Sequence, residues 1–189
     1  LSTFKEGEGT LITYEDQAVE AAVVSGIAFN RDEAEVALVG VPNHPGIAHR
    51  IVGPVSDANI EVDMIVQNVA RDGRFDFTFT IHRNDYRQVM DILQANLAAI
   101  GAERLQGNDR VVKLSIVGVG MRSHAGVAST LFRALAEKHI DIRMVATSEI
   151  KISVVVDEKH LEQGVKALHQ AFGLATAPQE DSLHRGTSG

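Results

Sequence analysis

The sequence predicts an α+β protein made of two similar units. Each has the ferredoxin-like order β-α-β-β-α-β, with an antiparallel sheet that carries its helices on one face. The first observation is an internal repeat, because the loop His44–Ala48 (His-x-Gly-Ile-Ala) returns eighty residues later as His124–Ala128 (His-x-Gly-Val-Ala). The second is that both copies show the same series of strand-period and helix-period segments. Two copies are too few for a solenoid, so the repeat predicts two small domains.

The composition excludes several classes of protein. The 189-residue chain is 44% hydrophobic and 23% charged, as in ordinary globular proteins. A net charge of −7 without a run of basic residues argues against nucleic-acid or anionic-membrane partners. No apolar run reaches membrane-spanning length. The absence of cysteine and of an export signal favours the cytoplasm, and the lack of an initial methionine indicates a processed product or a piece of a longer chain.

The first unit is predicted over residues 34–109 and opens with the strand Val36–Val41, which is rich in β-branched residues. Pro42–Gly46 breaks this strand, and a helix with an apolar stripe follows. The stripe consists of Ile47, Ile51, Val52 and Val55. A second strand is predicted over Ile60–Val69.

A hairpin turn at Arg71–Gly73 leads to a third strand, in which apolar and polar residues alternate strictly. Its apolar face consists of Phe75, Phe77, Phe79 and Ile81. Asn84 is predicted to cap a second helix. The inner face of that helix consists of Tyr86, Val89, Met90, Leu93 and Leu97. A short last strand, Glu103–Gln106, is predicted just before Gly107–Asp109.

The second unit is predicted over residues 19–33 together with 110–174. It contains strands at Val111–Val117, Ile140–Thr147 and Ile150–Val156, and two helices. The inward residues of these helices are Val127, Leu131 and Leu135 in one, and Leu161, Val165, Leu168 and Phe172 in the other.

This second copy lacks a fourth strand, whereas the strand Val23–Phe29, before a charged turn at Asn30–Glu33, lacks a partner. Because an unpaired edge strand invites aggregation, we expect Val23–Phe29 to complete the second unit, so that the first unit is inserted in the second. Residues 1–18 are expected to be a junction with a preceding domain, and residues 175–189 a disordered tail.

Each copy places a glycine-bearing loop between a strand and the first turn of a helix. Free N–H groups and the helix dipole favour a carboxylate or phosphate there. Polar residues end the next strand in both copies, as Gln67–Asn68 and Thr147–Glu149. Loop donors for a carboxylate beside strand-end acceptors for an ammonium suit a free amino acid. Glycine and amides are also common in β-α turns without a ligand, so a purely structural role stays open.

No catalytic or metal site is predicted. The glycines around Gly118 do not keep the dinucleotide-binding spacing, and neither a phosphate-binding loop nor a nucleophile elbow is present. The eight histidines are scattered. His44 and His124 stand at helix starts, where histidine is usually solvated or capping.

Four stretches together resemble the C-terminal regulatory region of aspartate kinases, a tandem of ACT domains. They are Met64–Val69, Pro45–Ala48, Gly118–Val127 and Thr147–Ser153. The resemblance spans Ser2–Phe172, and Ser2–Thr10 is similar to the junction that follows the catalytic domain. The chain therefore resembles either a cut regulatory fragment or the separately made small (beta) subunit of those kinases that consist of two subunit types. The resemblance implies that this chain alone is not an enzyme, and that its partner is a catalytic aspartate kinase domain or subunit. ATP and magnesium would belong to that domain, so no cofactor is expected here.

The resemblance also implies feedback inhibition of aspartate phosphorylation by lysine, by threonine or by both. The effectors would bind where the ACT units of two chains pair in a homodimer. Matching motifs give an effector-binding set in the first unit: Asn43, Gly46, Ile47, Ala48, Gln67 and Asn68. The set in the second unit is Met121, Ser123, His124, Gly126, Val127, Thr147, Ser148 and Glu149.

The sequence departs from the family at two positions and leaves two alternatives open. The family often has an acidic residue in place of Asn43 and a proline in place of Ala125. Asn43 can accept a hydrogen bond from an ammonium, but without the added strength of a charge. One alternative is an assembly subunit without an effector site of its own. The other is an ACT-type regulator of a different amino-acid enzyme.

Overall fold

The computed structural model describes residues 23–69, 72–119 and 125–174. Its elements follow in chain order: β1 (Val23–Pro42), α1 (Ile47–Asp57), β2 (Val62–Val69), β3 (Arg74–His82), α2 (Tyr86–Ile100), β4 (Arg104–Val119), α3 (Ala125–Ala136), β5 (Met144–Thr147), β6 (Lys151–Asp157) and α4 (Leu161–Ala171). A single 3₁₀ turn precedes both α2 and α4, at Arg83–Asp85 and Glu158–His160. None of the helices in these ranges combines the length and apolar composition needed to span a bilayer.

The strands form one antiparallel sheet in the order β2-β3-β1-β4-β6-β5. The long strands β1 and β4 serve both halves of the molecule. The C-terminal part of β1 pairs with β3 and with the start of β4, whereas its N-terminal part pairs with the end of β4. That end of β4 also pairs with β6. Each half therefore has the ferredoxin-like strand order. The predicted fold class is confirmed, including the insertion of the first unit in the second.

A predicted turn and a predicted strand end are wrong, because β1 and β4 are continuous strands there. The prediction placed a turn at Asn30–Glu33 and ended a strand at Gln106, whereas these residues lie inside β1 and β4. The two strands pair with each other along their length, and the register shifts between Asn30 and Glu35 take up the irregular backbone. The side chains of Asn30 and Asn108 still accept local hydrogen bonds two residues on, at 3.0 and 2.9 Å.

Other element boundaries also differ from the prediction. Strand β2 begins at Val62 rather than Ile60, and β5 begins at Met144 rather than Ile140. The predicted cap at Asn84 is wrong, because the side chain of His82 accepts the Asn84 N–H at 3.2 Å and starts a 3₁₀ turn instead. The predicted junction, tail and loop at residues 1–18, 175–189 and 120–124 lie outside the described residues.

Each half has its own hydrophobic core between its helices and one face of the sheet. The four alternating residues of β3 are all buried, as predicted. In the first half they pack against α1 and α2, mainly through Ile47, Ile51, Val55, Val89 and Leu93. In the second half, β4 and β6 pack against α3 and α4, mainly through Leu114, Ile116, Val127, Leu131, Leu135, Val154 and Leu168.

The repeat is preserved in backbone detail at the ends of α1 and α3. Asn59 and His139, which are eighty residues apart, both adopt the left-handed conformation, with φ of 59° and 55°. Their N–H groups donate to the carbonyls of Ser56 and Ala136 at 2.8 and 2.9 Å. Asparagine tolerates this conformation, whereas histidine adopts it at a greater cost.

We therefore expect His139→Gly to stabilise the protein by about 0.5–1 kcal/mol, because relief of the left-handed strain exceeds the added chain entropy of glycine. Urea denaturation measures the change. Asn59→Gly is the matched control and should gain less. A His139→Gly variant less stable than the parent would contradict this assignment of strain.

Candidate functional site

The loop Asn43–Gly46 joins β1 to α1, and its backbone is fixed at both ends. The Asn43 N–H donates to the Gly73 carbonyl at 2.9 Å, and Gly46 caps α1 with φ of 87°. A Cβ on Gly46 would meet no atom within 4 Å, so glycine is required there by conformation and not by space. Ile47 is buried in the core, whereas Asn43, Gly46 and Ala48 are exposed. The loop thus presents backbone and amide groups to solvent.

A β-bulge just before this loop is held by two side chains of β3. Gly40 has φ of 64°, and the pairing of β1 with β3 shifts between Leu38 and Val41. The Gly40 N–H donates to Asp76 Oδ1 at 2.9 Å, and its carbonyl accepts from the Arg74 guanidinium. Arg74 also donates to the Gly101 carbonyl at 3.3 Å. These contacts set the direction in which β1 enters the loop.

Sequence reasoning missed Arg74 and Asp76. No alternation rule distinguishes Asp76 from the other polar residues of β3. The available signal was Gly40 inside a predicted strand, since glycine there often marks a bulge, and bulges are common beside functional sites.

The strand-end residues of the first half lie at the same end of the sheet as the loop. Gln67 and Asn68 are exposed near the end of β2, opposite Phe77 and Asp76 of β3. Phe75 pairs with Val69 of β2 on one side and with Val41 of β1 on the other. The structure therefore brings the first predicted set to one end of one half.

Part of the second predicted set lies outside the described residues, namely Met121, Ser123 and His124. Gly126 and Val127 belong to the first turn of α3, where Val127 is buried and Gly126 is exposed. Thr147 ends β5, and the exposed residues Ser148 and Glu149 follow. The Ser148 N–H donates to the Lys151 carbonyl at 2.7 Å and closes the turn to β6.

The register brings these strand-end residues towards the exit of β4. Thr147 pairs with Ile152, which pairs with Ile116 of β4. Thr147 therefore occupies in β5 the position that Gln67, its repeat equivalent, occupies in β2. Among the described residues, no group of three His, Asp or Glu side chains is placed to hold a metal ion. The groups available to bind a ligand at these sheet ends are N–H, amide, hydroxyl and carboxylate groups.

Comparison with known proteins gives the same fold and a family. Residues 36–98 and 114–172 match models described as ACT domains. The fold is similar to a structure of aspartokinase alpha and beta subunits, with TM-score 0.76 and 52% identity over 80% of this chain and 99% of that one. It is also similar to the regulatory subunit of aspartate kinase from Thermus thermophilus, with TM-score 0.75 and 36% identity over 79% and 99%. An aspartate kinase of Stutzerimonas stutzeri is 58% identical over 175 residues.

Two tandem ACT units with matching loop–helix starts define a regulatory protein of the ACT class. Within that class, the chain belongs to the aspartokinase family and corresponds to its regulatory region. The match covers 92% of this chain but only 42% of the Stutzerimonas enzyme. The predicted family is thus confirmed.

We expect Asp76→Ala to lower the free energy of unfolding by about 1–2 kcal/mol, because the part-buried Gly40 N–H loses its acceptor. Amide exchange of residues 40–46 should accelerate in the same variant. Asp76→Asn keeps an oxygen acceptor and is the matched control. Equal exchange in the two variants would show that Asp76 does not hold the bulge.

Proposed function

We propose that this chain binds threonine or lysine as a feedback effector and thereby inhibits the catalytic part of an aspartate kinase. The support is the family and the repeated pairing of an exposed loop–helix start with polar residues at the same sheet end. The proposal includes the residues assigned to the effector sites, the homodimer and the inhibition of the catalytic part.

The proposed binding mode follows from the groups that each half exposes. The effector carboxylate accepts hydrogen bonds from the first-turn N–H groups of α1 or α3, where the helix dipole favours negative charge. Its ammonium donates to strand-end oxygens of Gln67 and Asn68, or of Thr147, Ser148 and Glu149. In the second half, Met121, Ser123, His124, Gly126 and Val127 belong to the same proposed surface.

Pairing between ACT units of two chains is supported by the outer strands. β2 and β5 lie at the two edges of the sheet, with one side free within the described chain. Each edge exposes an apolar residue at the same position of the repeat, Ile65 at 52% and Val145 at 36% exposure. A free edge with apolar side chains is a template for strand pairing. Joining such edges in a homodimer brings the loop of one unit beside the strand ends of another.

The regulation would be a shift between two arrangements of the paired ACT units. The effector stabilises the arrangement in which the attached catalytic part is less active. By linkage, it shifts the equilibrium only by its difference in affinity for the two states, typically about 1–3 kcal/mol.

The first test is a thermal-unfolding screen with threonine, lysine, and both together, with isoleucine and methionine as controls. At about 100 times its dissociation constant, a true effector adds roughly 2.7 kcal/mol and raises the midpoint by roughly 5–10 °C. Gln67→Ala should weaken binding about tenfold through loss of one hydrogen bond to a charged group, as measured by calorimetry. Gly46→Val should weaken it through its positive φ.

The same screen discriminates the alternatives. No shift with either amino acid, alone or with the catalytic partner, would favour an assembly subunit without an effector site. A shift only with another amino acid would replace the proposed effector and keep the site. Unchanged affinity in both Gln67→Ala and Gly46→Val would overturn the residue assignment.

The dimer has its own test. We expect Ile65→Lys to shift the protein towards monomer, because it places a charge on the free edge of β2. Sedimentation velocity over a range of concentrations measures the change. Phe29→Lys is the matched control, since Phe29 is also 52% exposed but lies on the interior strand β1. Equal effects of the two substitutions would argue against pairing through this edge.

A further inference from the structure

The two halves of the chain contact each other through the faces of the sheet that their helices leave free. A small apolar cluster forms there from Met64, Val111, Met144 and Val155. Met64 and Met144 are repeat-equivalent residues on β2 and β5, the two opposite edges of the sheet. The sheet is therefore curved so that the non-helical faces of the halves meet.

Ion pairs surround this cluster and join a strand of one half to a strand of the other. Lys113 of β4 donates to Asp63 of β2 and to Glu33 of β1. Arg143, just before β5, donates to Glu35 of β1. In both pairs, a residue on the first strand of one half (β4 or β1) contacts a residue in or just before the second strand of the other half (β2 or β5).

The two ion pairs between the halves occupy equivalent places in the repeat. At each equivalent position, the residue in one half is acidic and the residue in the other half is basic. Glu35 and Lys113 occupy the same position of the first strand, seventy-eight residues apart. Asp63 and Arg143 both precede the equivalent methionines, Met64 and Met144. The halves are thus related by an approximate two-fold rotation that exchanges acid for base.

A third contact lies near the axis of this rotation. Arg83 and Glu158 are the first residues of the equivalent 3₁₀ turns, and Arg83 Nη1 lies 3.0 Å from Glu158 Oε1. Arg83 also donates to the Val111 carbonyl at 2.9 Å. An equivalent position again carries opposite charges in the two halves.

One residue of each contact is shielded from water, and its partner is more exposed. Side-chain exposure is 15% for Lys113 and 11% for Glu35, but 54% for Asp63 and 36% for Arg143. Burial lowers the pKa of Lys113, but its hydrogen bonds to Asp63 and Glu33 raise it by more, so the pKa lies above its ordinary value. Lys113 is therefore charged at neutral pH.

The arrangement of charges discriminates between like and unlike halves. If two first halves met through this face, Glu35 of one would oppose Asp63 of the other. If two second halves met, Lys113 would oppose Arg143. Both like pairings place equal charges in contact, whereas the unlike pairing satisfies every one of them.

We propose that the non-helical face of each half is an interface specific for the opposite half. Because equivalent positions carry opposite charges, this face binds the opposite half and disfavours a copy of itself. The contact couples the responses of the two halves.

The interface also contacts the candidate effector surfaces. Asp63 and Arg143 each stand four residues before a strand-end residue of the proposed sites, Gln67 and Thr147. A cleft of about 190 Å³ between the halves is lined by Asp63 and Lys113 together with Thr147 and Ser148. Movement of an edge strand at one site therefore acts directly on a charged contact to the other half. This coupling rests on the proposed function, whereas the pairing of the halves does not.

Calorimetry of unfolding tests the pairing in the full chain. The variant Asp63→Arg/Glu35→Lys puts two cations at each contact, and we expect the single unfolding transition to split into two or to broaden markedly. The fourfold exchange Asp63→Arg/Lys113→Glu/Glu35→Lys/Arg143→Glu is made together with Glu33→Gln, because Glu33 also accepts from Lys113. It restores opposite charges at both contacts and should restore one transition. Asp63→Arg alone, at the exposed end of one pair, should lower the midpoint by roughly 3–6 °C if the double variant fails to fold.

The matched control is Glu61→Arg/Asp141→Lys. It makes the same change in net charge at repeat-equivalent exposed positions outside the ion pairs among the described residues. It should keep one transition. The proposal is overturned if the control behaves like the reversed variant, or if the fourfold exchange recovers nothing.

Adding threonine or lysine to these samples tests the coupling separately. In the parent chain, an effector should raise the whole transition, whereas in the reversed variant it should raise one component only. A shift of both components in the reversed variant would overturn the coupling. Failure of both amino acids to shift the parent would count against the proposed function and leave the charge-exchange result to decide the pairing.

Discussion

The pairing of β1 with β4 is the constraint on which the rest of the structure depends. Neither half has a complete sheet without it, because β1 supplies the first strand of one half and the last strand of the other. The ladder runs from Val23 and Val119 to Val39 and Arg104, a length of roughly 50 Å at the usual rise per residue. Since the strands are antiparallel, the loops that follow them leave at opposite ends. The helix starts that follow β1 and β4 therefore lie at opposite ends of this ladder, whereas Thr147 and Ser148 of the second set line a cleft with Asp63 of the first half.

The contact between the halves is small and mostly polar. Each half buries its apolar residues under its own helices, so each core is complete without the other half's helices. The faces opposite the helices share only a small apolar cluster. Around it, ion pairs with partial burial supply the complementarity. Such an interface resembles those between domains, which are more polar than a core and permit relative motion.

The sequence predicted what depends on local periodicity and failed where distant partners decide. The apolar alternation of β3 and the stripes of α1 and α3 fixed the faces that are buried, and the missing strand of the second copy predicted the insertion. The predicted turn at Asn30–Glu33 and the predicted strand end before Gly107–Asp109 failed, because each run pairs with residues far away in the sequence, Asn30 with Lys113 and Asn108 with Glu35. Nothing local showed that His82 rather than Asn84 starts the turn before α2.

The candidate site divides in the same way. Gly46 and the strand-end residues follow from the repeat, because the same loop and strand end occur twice. Arg74 and Asp76 do not, since their role is to hold the bulge of another strand. The sequence likewise did not show the role of the charged residues between the halves. Asp63 or Arg143, taken alone in the sequence, has the appearance of an ordinary surface charge, and only their contacts across the rotation axis show the reversal.

The reversal also explains why a duplicated unit keeps charges where an apolar contact would add stability. A buried ion pair is often no more stabilising than apolar residues of the same size, but a mismatched pair is strongly unfavourable. Apolar faces on both halves would accept like and unlike partners equally. Opposite charges at equivalent positions disfavour pairing between two identical halves. They favour pairing between the two different halves of one chain. An interface selected in this way is specific without a large apolar core, so the proposed effector, with a difference in affinity of typically about 1–3 kcal/mol, would act on a contact held mainly by charges.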